Sequence, residues 1–433
     1  MTQLRTDQTE ELDRICNRLR MTPQHFRDFQ RESAAREISS NVSDIHWEPV
    51  PPSRFQSFFT HLSFLWRINL DTLDDKLRSK LDALGIGYCY MIKRQGKIVH
   101  LGASGWAQLP NDGDIPWLFH IPMNIASISK FITAIATIRL LRDLNLPVTT
   151  PIAGYLPQYW TLGPGVGAIT FENLMRQESG LGATISDSGP VTFQAAKQEI
   201  ENGSVGTGAG MFDYTNINFT LLRIVFATLT GVLAPSFRVF PNVGFFPLNG
   251  LADSLDNDFW DFTSLTAYSN YVNDVVFTTA GIYPRDFEPP ENAAKAYATP
   301  AATPGWVDGS TSAGAGTSGW YMSIGELMWV LGEFRRGGSI MGTWRAQKTM
   351  ANQYGLDSPI TTNAGPVYQK SGRWGSGSQI HDSWVFIMPG DVELAVFVNS
   401  VPAGTAPVPS YLNVVSQLIT ESIDFDLNVF RVP

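Results

Sequence analysis

A mixed α/β fold, a sheet domain interrupted by a mostly helical one, is what three features of this 433-residue chain predict. Segments with strand character lie early, in GYCYMIKRQGKIVHLGASG, and late, in SWVFIMPG and VELAVFVNS. Helical and loop-like sequence fills the stretch between them, and strands at both ends closing around such a stretch give a layered sheet with an insertion. A hydrophobic content of 43%, with 12 Trp and 26 Phe, supplies the core that two or more folding units need.

Residues 1 to about 48 carry helical spacing with Thr6 and Thr22 as caps, and VPPSRF at 50–55 breaks it, so 1–55 reads as a helical extension and linker. From about 71, LDTLDDKLRSKLDALG repeats Leu every fourth residue and predicts an amphipathic helix. The early strands form a hairpin turning at Gln95-Gly96. FITAIATIRLLRDL predicts an apolar helix, LPVTTPIAGYLPQYW a Pro-punctuated connection, and AITFENLMRQESGLG a short helix capped by Thr170 and stopped by Gly180. The late strands turn at Pro389-Gly390, and SYLNVVSQLITESI forms a closing helix. The expected domains are 56–145 plus 320–433 for the sheet and 146–319 for the helices. Phe237, Phe240, Phe245, Phe246, Phe259, Trp260 and Phe262 read as core of the helical domain, with a lid over a substrate as the alternative.

A net charge of −9, with no Lys/Arg cluster, excludes nucleic acid and anionic membrane as partners. The longest apolar run, FTLLRIVFATLTGVLAP, is interrupted by Arg223 and too short to span a bilayer. The charged first twenty residues lack the apolar stretch of a signal peptide, so the expected compartment is the cytoplasm. Cys16 and Cys89 stand in no disulfide or metal spacing, and the six histidines show no paired ligand spacing, so neither metal nor cofactor is expected. His381 reads as a surface or strand-end residue, with a place lining the substrate region as the alternative.

The sharpest signal is Ser127-Ile128-Ser129-Lys130, the one Ser-x-x-Lys in the chain, where polar sequence gives way to the apolar helix. Residues three apart share a helix face, so the Ser127 hydroxyl and the Lys130 amine can meet. Unpaired N–H groups and the positive dipole end at the helix start favour an oxyanion there, which together describes an activated serine nucleophile. No Gly-x-Ser-x-Gly occurs, which removes the nucleophile-elbow type of hydrolase. Gly314 to Gly319 fits G-x-G-x-x-G, but without a preceding strand it does not read as a dinucleotide site.

From about 72 to 425 the order of segments resembles the serine β-lactamase and penicillin-binding-protein-like superfamily, in particular its class C β-lactamase, D-aminopeptidase and family VIII esterase branch. FHIPMNIASISKFITAIATIRLL resembles the family's nucleophile helix, and GAGTSGWYMSIGELMWVLGEFRRGG its late helix after a Gly-rich turn. AITFENLMRQESGL is similar to the phrase I-T-x-x-x-L-L-x-H-x-S-G-L, with Glu178 read in place of the His. The resemblance implies a β-lactamase-like fold with an antiparallel sheet flanked by helices. It also implies a Tyr-x-Asn element, placed at Tyr214-Thr215-Asn216 because FDYTN leads into a Leu-Leu helix; Tyr268, Tyr271 and Tyr411 also start such triplets. Tyr214 would carry the serine proton with Lys130, and Asn216 would orient the substrate carbonyl.

A third element, a Lys-Thr-Gly-like triplet, has two registers. Lys370-Ser371-Gly372 matches in type but stands about four residues farther from Pro389 than the family's spacing. Trp374-Gly375-Ser376 resembles the Trp-Gly-Gly of the esterase branch and restores that spacing. Lys370 would attract a carboxylate, and its replacement by the second register would suit neutral esters. The function implied is a serine hydrolase that forms an acyl-enzyme on Ser127 from a small ester or amide, with no cofactor. An acyltransferase, a β-lactamase or D-peptidase, and a binding protein without turnover are the alternatives. The extension at 1–55 would serve a homo-oligomer contact or a cap over the site.

Overall fold

The computed structural model of the chain describes residues 66–83, 87–182, 189–204, 210–239, 249–298, 304–400 and 411–425. The extension and linker expected over 1–55 lie outside the described residues, as do Phe240, Phe245 and Phe246. In chain order come β1 (Trp66–Ile68), α1 (Leu70–Ala83), β2 (Tyr88–Arg94), β3 (Lys97–Ser104), β4 (Trp106–Gln108), β5 (Ile115–Pro116), β6 (Pro122–Asn124) and α2 (Ile128–Asp143). Next are α3 (Phe171–Met175), α4 (Phe193–Asn202), α5 (Ile217–Leu229) and α6 (Asn249–Tyr271). The last third holds β7 (Tyr321–Ser323), α7 (Ile324–Gly332), α8 (Thr343–Ala351), β8 (Asp357–Thr362), β9 (Gly365–Ser376), β10 (Gln379–Met388), β11 (Val392–Val398), α9 (Tyr411–Thr420) and β12 (Ile423–Phe425). No helix among the described residues is long and apolar enough to cross a membrane.

These residues fall into two compact units, one over Leu140–Asn270 and one made of the flanking residues up to Arg139 and from Tyr271. Residues 271–319 therefore cluster with the sheet rather than with the helices, unlike the expected division at 319. Hydrogen bonds supply the reason: Tyr297 N–H donates to Asn399 O, Lys295 N–H to Ala107 O, and the Asn399 amide to Lys295 O.

The flanking unit is built on a six-stranded sheet in the order β3-β2-β11-β10-β9-β8, antiparallel at every step. Both faces of its centre are covered, so β2, β11 and the second half of β10, Trp384–Met388, read as mostly apolar runs. Even-numbered residues, Tyr88, Tyr90, Ile92, Trp384, Phe386, Leu394 and Val396, pack on Leu73, Leu77 and Leu81 of α1 and on Val415 and Ile419 of α9. On the other face α7 packs against β2 and β11. The expected turn at Gln95-Gly96 has φ of 52° and 78°, the pair of positive values that a tight two-residue hairpin requires. The start of α1 is capped by Asn69, whose side-chain oxygen accepts from Thr72 N–H at 3.1 Å.

In the other unit α5 is buried along nearly its whole length, which is why its sequence is apolar on all sides. Thr170 and Asn173 cap α3 reciprocally, as the Thr170 cap predicts. Phe237 stacks on Phe259 with ring centroids 4.8 Å apart, and Trp260 is fully buried with its indole N–H on Phe237 O. Asp256 is buried against Arg238, so the described part of this aromatic and acidic stretch is core closed by an ion pair.

His381 corrects the surface expectation: it sits on β10, 1% exposed. Burial lowers its pKa to about 4, which the carbonyls of Ala294 and Lys295 offset only in part.

Two measurements check this packing. Replacing Leu77 by Ala removes a fully buried side chain from α1, and denaturant unfolding is expected to show a loss of about 2–5 kcal/mol. His381 binds its proton less readily folded than unfolded, so its contribution to stability is complete above the unfolded value of 6.5 and is lost as pH falls towards about 4. The loss amounts to about 3 kcal/mol, and a His381→Gln variant is expected to show a correspondingly flatter profile of unfolding free energy between these pH values.

Candidate active site

Ser127 occupies the turn immediately before α2 and is half-buried, while Lys130, one turn on, is 1% exposed. The Lys130 ammonium donates to Ser127 Oγ at 3.0 Å and to Thr317 O at 3.1 Å. The turn is tight: the N–H groups of Ile128, Ser129 and Lys130 each bond the carbonyl three residues earlier. Ala126 takes a left-handed φ of 47°, a strained conformation for a residue with a Cβ, and Asn124 Oδ1 secures it by accepting Ala126 N–H at 2.8 Å.

The Gly-rich turn wraps this helix. Gly316 and Gly319 have φ of 90° and 99°, and the resulting path aims the carbonyls of Gly316 and Thr317 at α2, where they accept from Thr133 Oγ1 and Lys130 Nζ. The short 3-10 turn Ser312–Gly314 precedes it, so its glycines place acceptors for a lysine.

Strand β9 carries the third element. A Cβ on Gly372 would lie 2.5 Å from Ile125 O, 2.6 Å from Ser383 Oγ and 3.0 Å from Ser127 N, so only glycine fits between the strand and the serine turn. Gly372 pairs with Ser383 of β10, whose hydroxyl donates to Ile125 O at 2.9 Å. Trp374, Gly375 and Ser376 lie farther along the hairpin: the Trp374 indole donates to Asp308, and a Cβ on Gly375 would meet Gln379 O and Ile380. The β9–β10 hairpin runs on past Gly372 to Ser376 and Gln379, which accounts for the long spacing from Lys370 to Pro389.

Lys370 is 2% exposed and forms an ion pair with Asp357 of β8. The other Asp357 oxygen accepts both Ser371 N–H and Ser371 O–H at 2.8 Å. Burial opposes the charge on Asp357, but Lys370 and Ser371 more than offset it and hold the carboxyl below its usual range. Arg373 makes a two-pronged pair with Asp382 directly across the ladder, both contacts at 2.7 Å. Neither carboxylate was singled out from the sequence.

Tyr214 and Asn216 belong to the helical unit, at the entry to α5, and the Asn216 amide donates to Gly189 O at 2.9 Å. The residue that shapes this entry is Gln177. Its φ is 62°, its main-chain oxygen accepts Asp213 N–H, and its side-chain oxygen accepts Thr215 N–H at 3.2 Å and the Asn218 amide at 2.8 Å. Gln177 is also the ninth residue from Ile169 and so takes the His position of the family phrase, which corrects the assignment to Glu178. Glu178 pairs with Arg176 instead.

The chain is similar to several known proteins. Residues 73–237 match the family model described as Beta-lactamase. The Bacillus subtilis (strain 168) protein named "Putative penicillin-binding protein PbpX" is 26% identical over 161 residues, which take in 36% of this chain and 39% of that relative, well under two thirds of its length. Among solved structures, D-amino acid amidase from Ochrobactrum anthropi SV3 superposes with a TM-score of 0.58 at 17% identity, over 81% of this chain and 96% of that one. The class C β-lactamase from Rhodobacter sphaeroides gives 0.55 at 14% identity, over 81% and 99%. The chain thus has the β-lactamase and penicillin-binding-protein-like fold, and its residues 73–237 are similar to the Beta-lactamase family.

Proposed function

We propose that this chain is a serine hydrolase that cleaves a small ester or amide through an acyl-enzyme on Ser127. The observation that carries the reading is the 3.0 Å contact between Ser127 Oγ and a buried Lys130 at a helix start. In its neutral form Lys130 accepts the serine proton as Oγ attacks the carbonyl carbon, and the proton then passes to the departing alcohol or amine, with Tyr214 as the relay that the family resemblance suggests. The oxyanion is held by the N–H of Ser127 and an N–H of β9 beside Gly372, and water releases the acyl group. The extension at 1–55 would contribute an oligomer contact or a cap.

Hydrolysis of p-nitrophenyl butyrate by the wild type, with nitrocefin in parallel, tests the reading. Ser127→Ala is expected to reduce ester turnover by about 10⁴-fold or more and to abolish labelling by a fluorophosphonate. Tyr214→Phe is expected to cost about 10²–10⁴-fold in kcat. Turnover of nitrocefin in place of the ester would move the substrate to lactams, acyl transfer to an added alcohol would mark a transferase, and absence of Ser127-dependent labelling and turnover would leave a binding protein.

A further inference from the structure

Two cations flank Gly372, the residue that touches the serine turn, and each is already matched by a carboxylate. Lys370 and Gly372 are two residues apart on β9, so they share a face of the strand, and the lysine side chain is long enough to span the roughly 7 Å between them. Its ammonium is nevertheless 2% exposed and bound to Asp357. Asp357 is well placed to keep it. It opens β8 opposite Gln369, so no backbone of β8 reaches Ser371, and the carboxylate takes the Ser371 N–H in place of a ladder carbonyl while also holding the Ser371 hydroxyl. Arg373, on the other side of Gly372, is held by Asp382.

We propose that Asp357 sets the charge selectivity of this site by retaining the Lys370 ammonium in a buried pair, so that Ser127 is acylated by neutral esters and amides in preference to acyl groups bearing a carboxylate. This rests on the reading of Ser127 as the nucleophile and adds a substrate class to it. An anionic acyl group would find the local charge already neutralised and would lose its own hydration on entry. Asp357 touches no substrate; it is a positioning residue that acts through Lys370 and Ser371.

The test compares two esters of equal chain length, p-nitrophenyl valerate and the mono-p-nitrophenyl ester of glutaric acid. Wild-type kcat/KM is expected to favour the valerate by about tenfold or more. Asp357→Asn keeps an acceptor for Ser371 but removes the charge, and is expected to shift the ratio towards the glutarate by about tenfold, a gain that the double variant Asp357→Asn/Lys370→Met loses. A general loosening of the site would slow both esters and leave the ratio in place. A wild-type preference for the glutarate overturns the proposal even if the variants fail to fold, and so does an unchanged ratio in a folded Asp357→Asn protein. Failure of the underlying reading looks different: neither ester is turned over in a Ser127-dependent way and the fluorophosphonate does not label Ser127.

Discussion

The close approach of β9 to the turn before α2 is the constraint on which the candidate site depends. Gly372 leaves no space for a Cβ against Ile125 O and Ser127 N, and its ladder partner Ser383 bonds the same Ile125 carbonyl. Sheet register, serine position and the strained φ of Ala126 are therefore one coupled arrangement. A slip of β9 by a single residue would bring Ser371 or Arg373 into the gap and turn every other side chain of the strand to the opposite face. The covered centre of the sheet makes such a slip costly, because Trp384 and Phe386 of β10 and both faces of β11 are already committed to helices.

What the sequence made legible is what is encoded locally. The leucine spacing of α1, the Gln95-Gly96 turn, the Thr170 cap and the apolar late strands each follow from a few adjacent residues, and the structure contains all of them. Strands β8 and β9 were harder to see, because DSPITT and GPVYQKSGRWGS are polar or glycine-rich and carry little apolar alternation. The third element had two registers for a related reason: spacing to Pro389 measures the length of the β9–β10 hairpin, and that length is free to vary at its tip without moving Gly372. Gln177 shows the opposite case, a residue whose position was written in the sequence but whose task is visible only once Thr215 and Asn218 are folded against it.

Asp357 and Asp382 lay beyond sequence reasoning because ion-pair partners on neighbouring strands are chosen by register. Asp357 stands 13 residues before Lys370, and Asp382 stands 9 residues after Arg373, separations set by hairpin length and by nothing in the residues between. The buried Lys370–Asp357 pair adds little net stability, since the desolvation of both charges offsets most of their attraction, and Asp382 is likewise buried beneath a more exposed Arg373. Their stronger effect is on alternatives: a shifted strand would leave a buried carboxylate or ammonium without its partner, at a cost of several kcal/mol. Asp357 on one side of Gly372 and Asp382 on the other thus penalise displacement of β9 in either direction. The same two carboxylates that neutralise the strand next to Ser127 also keep Gly372 against the serine turn, so electrostatics and geometry at this site have a common origin in the pairing of β8, β9 and β10.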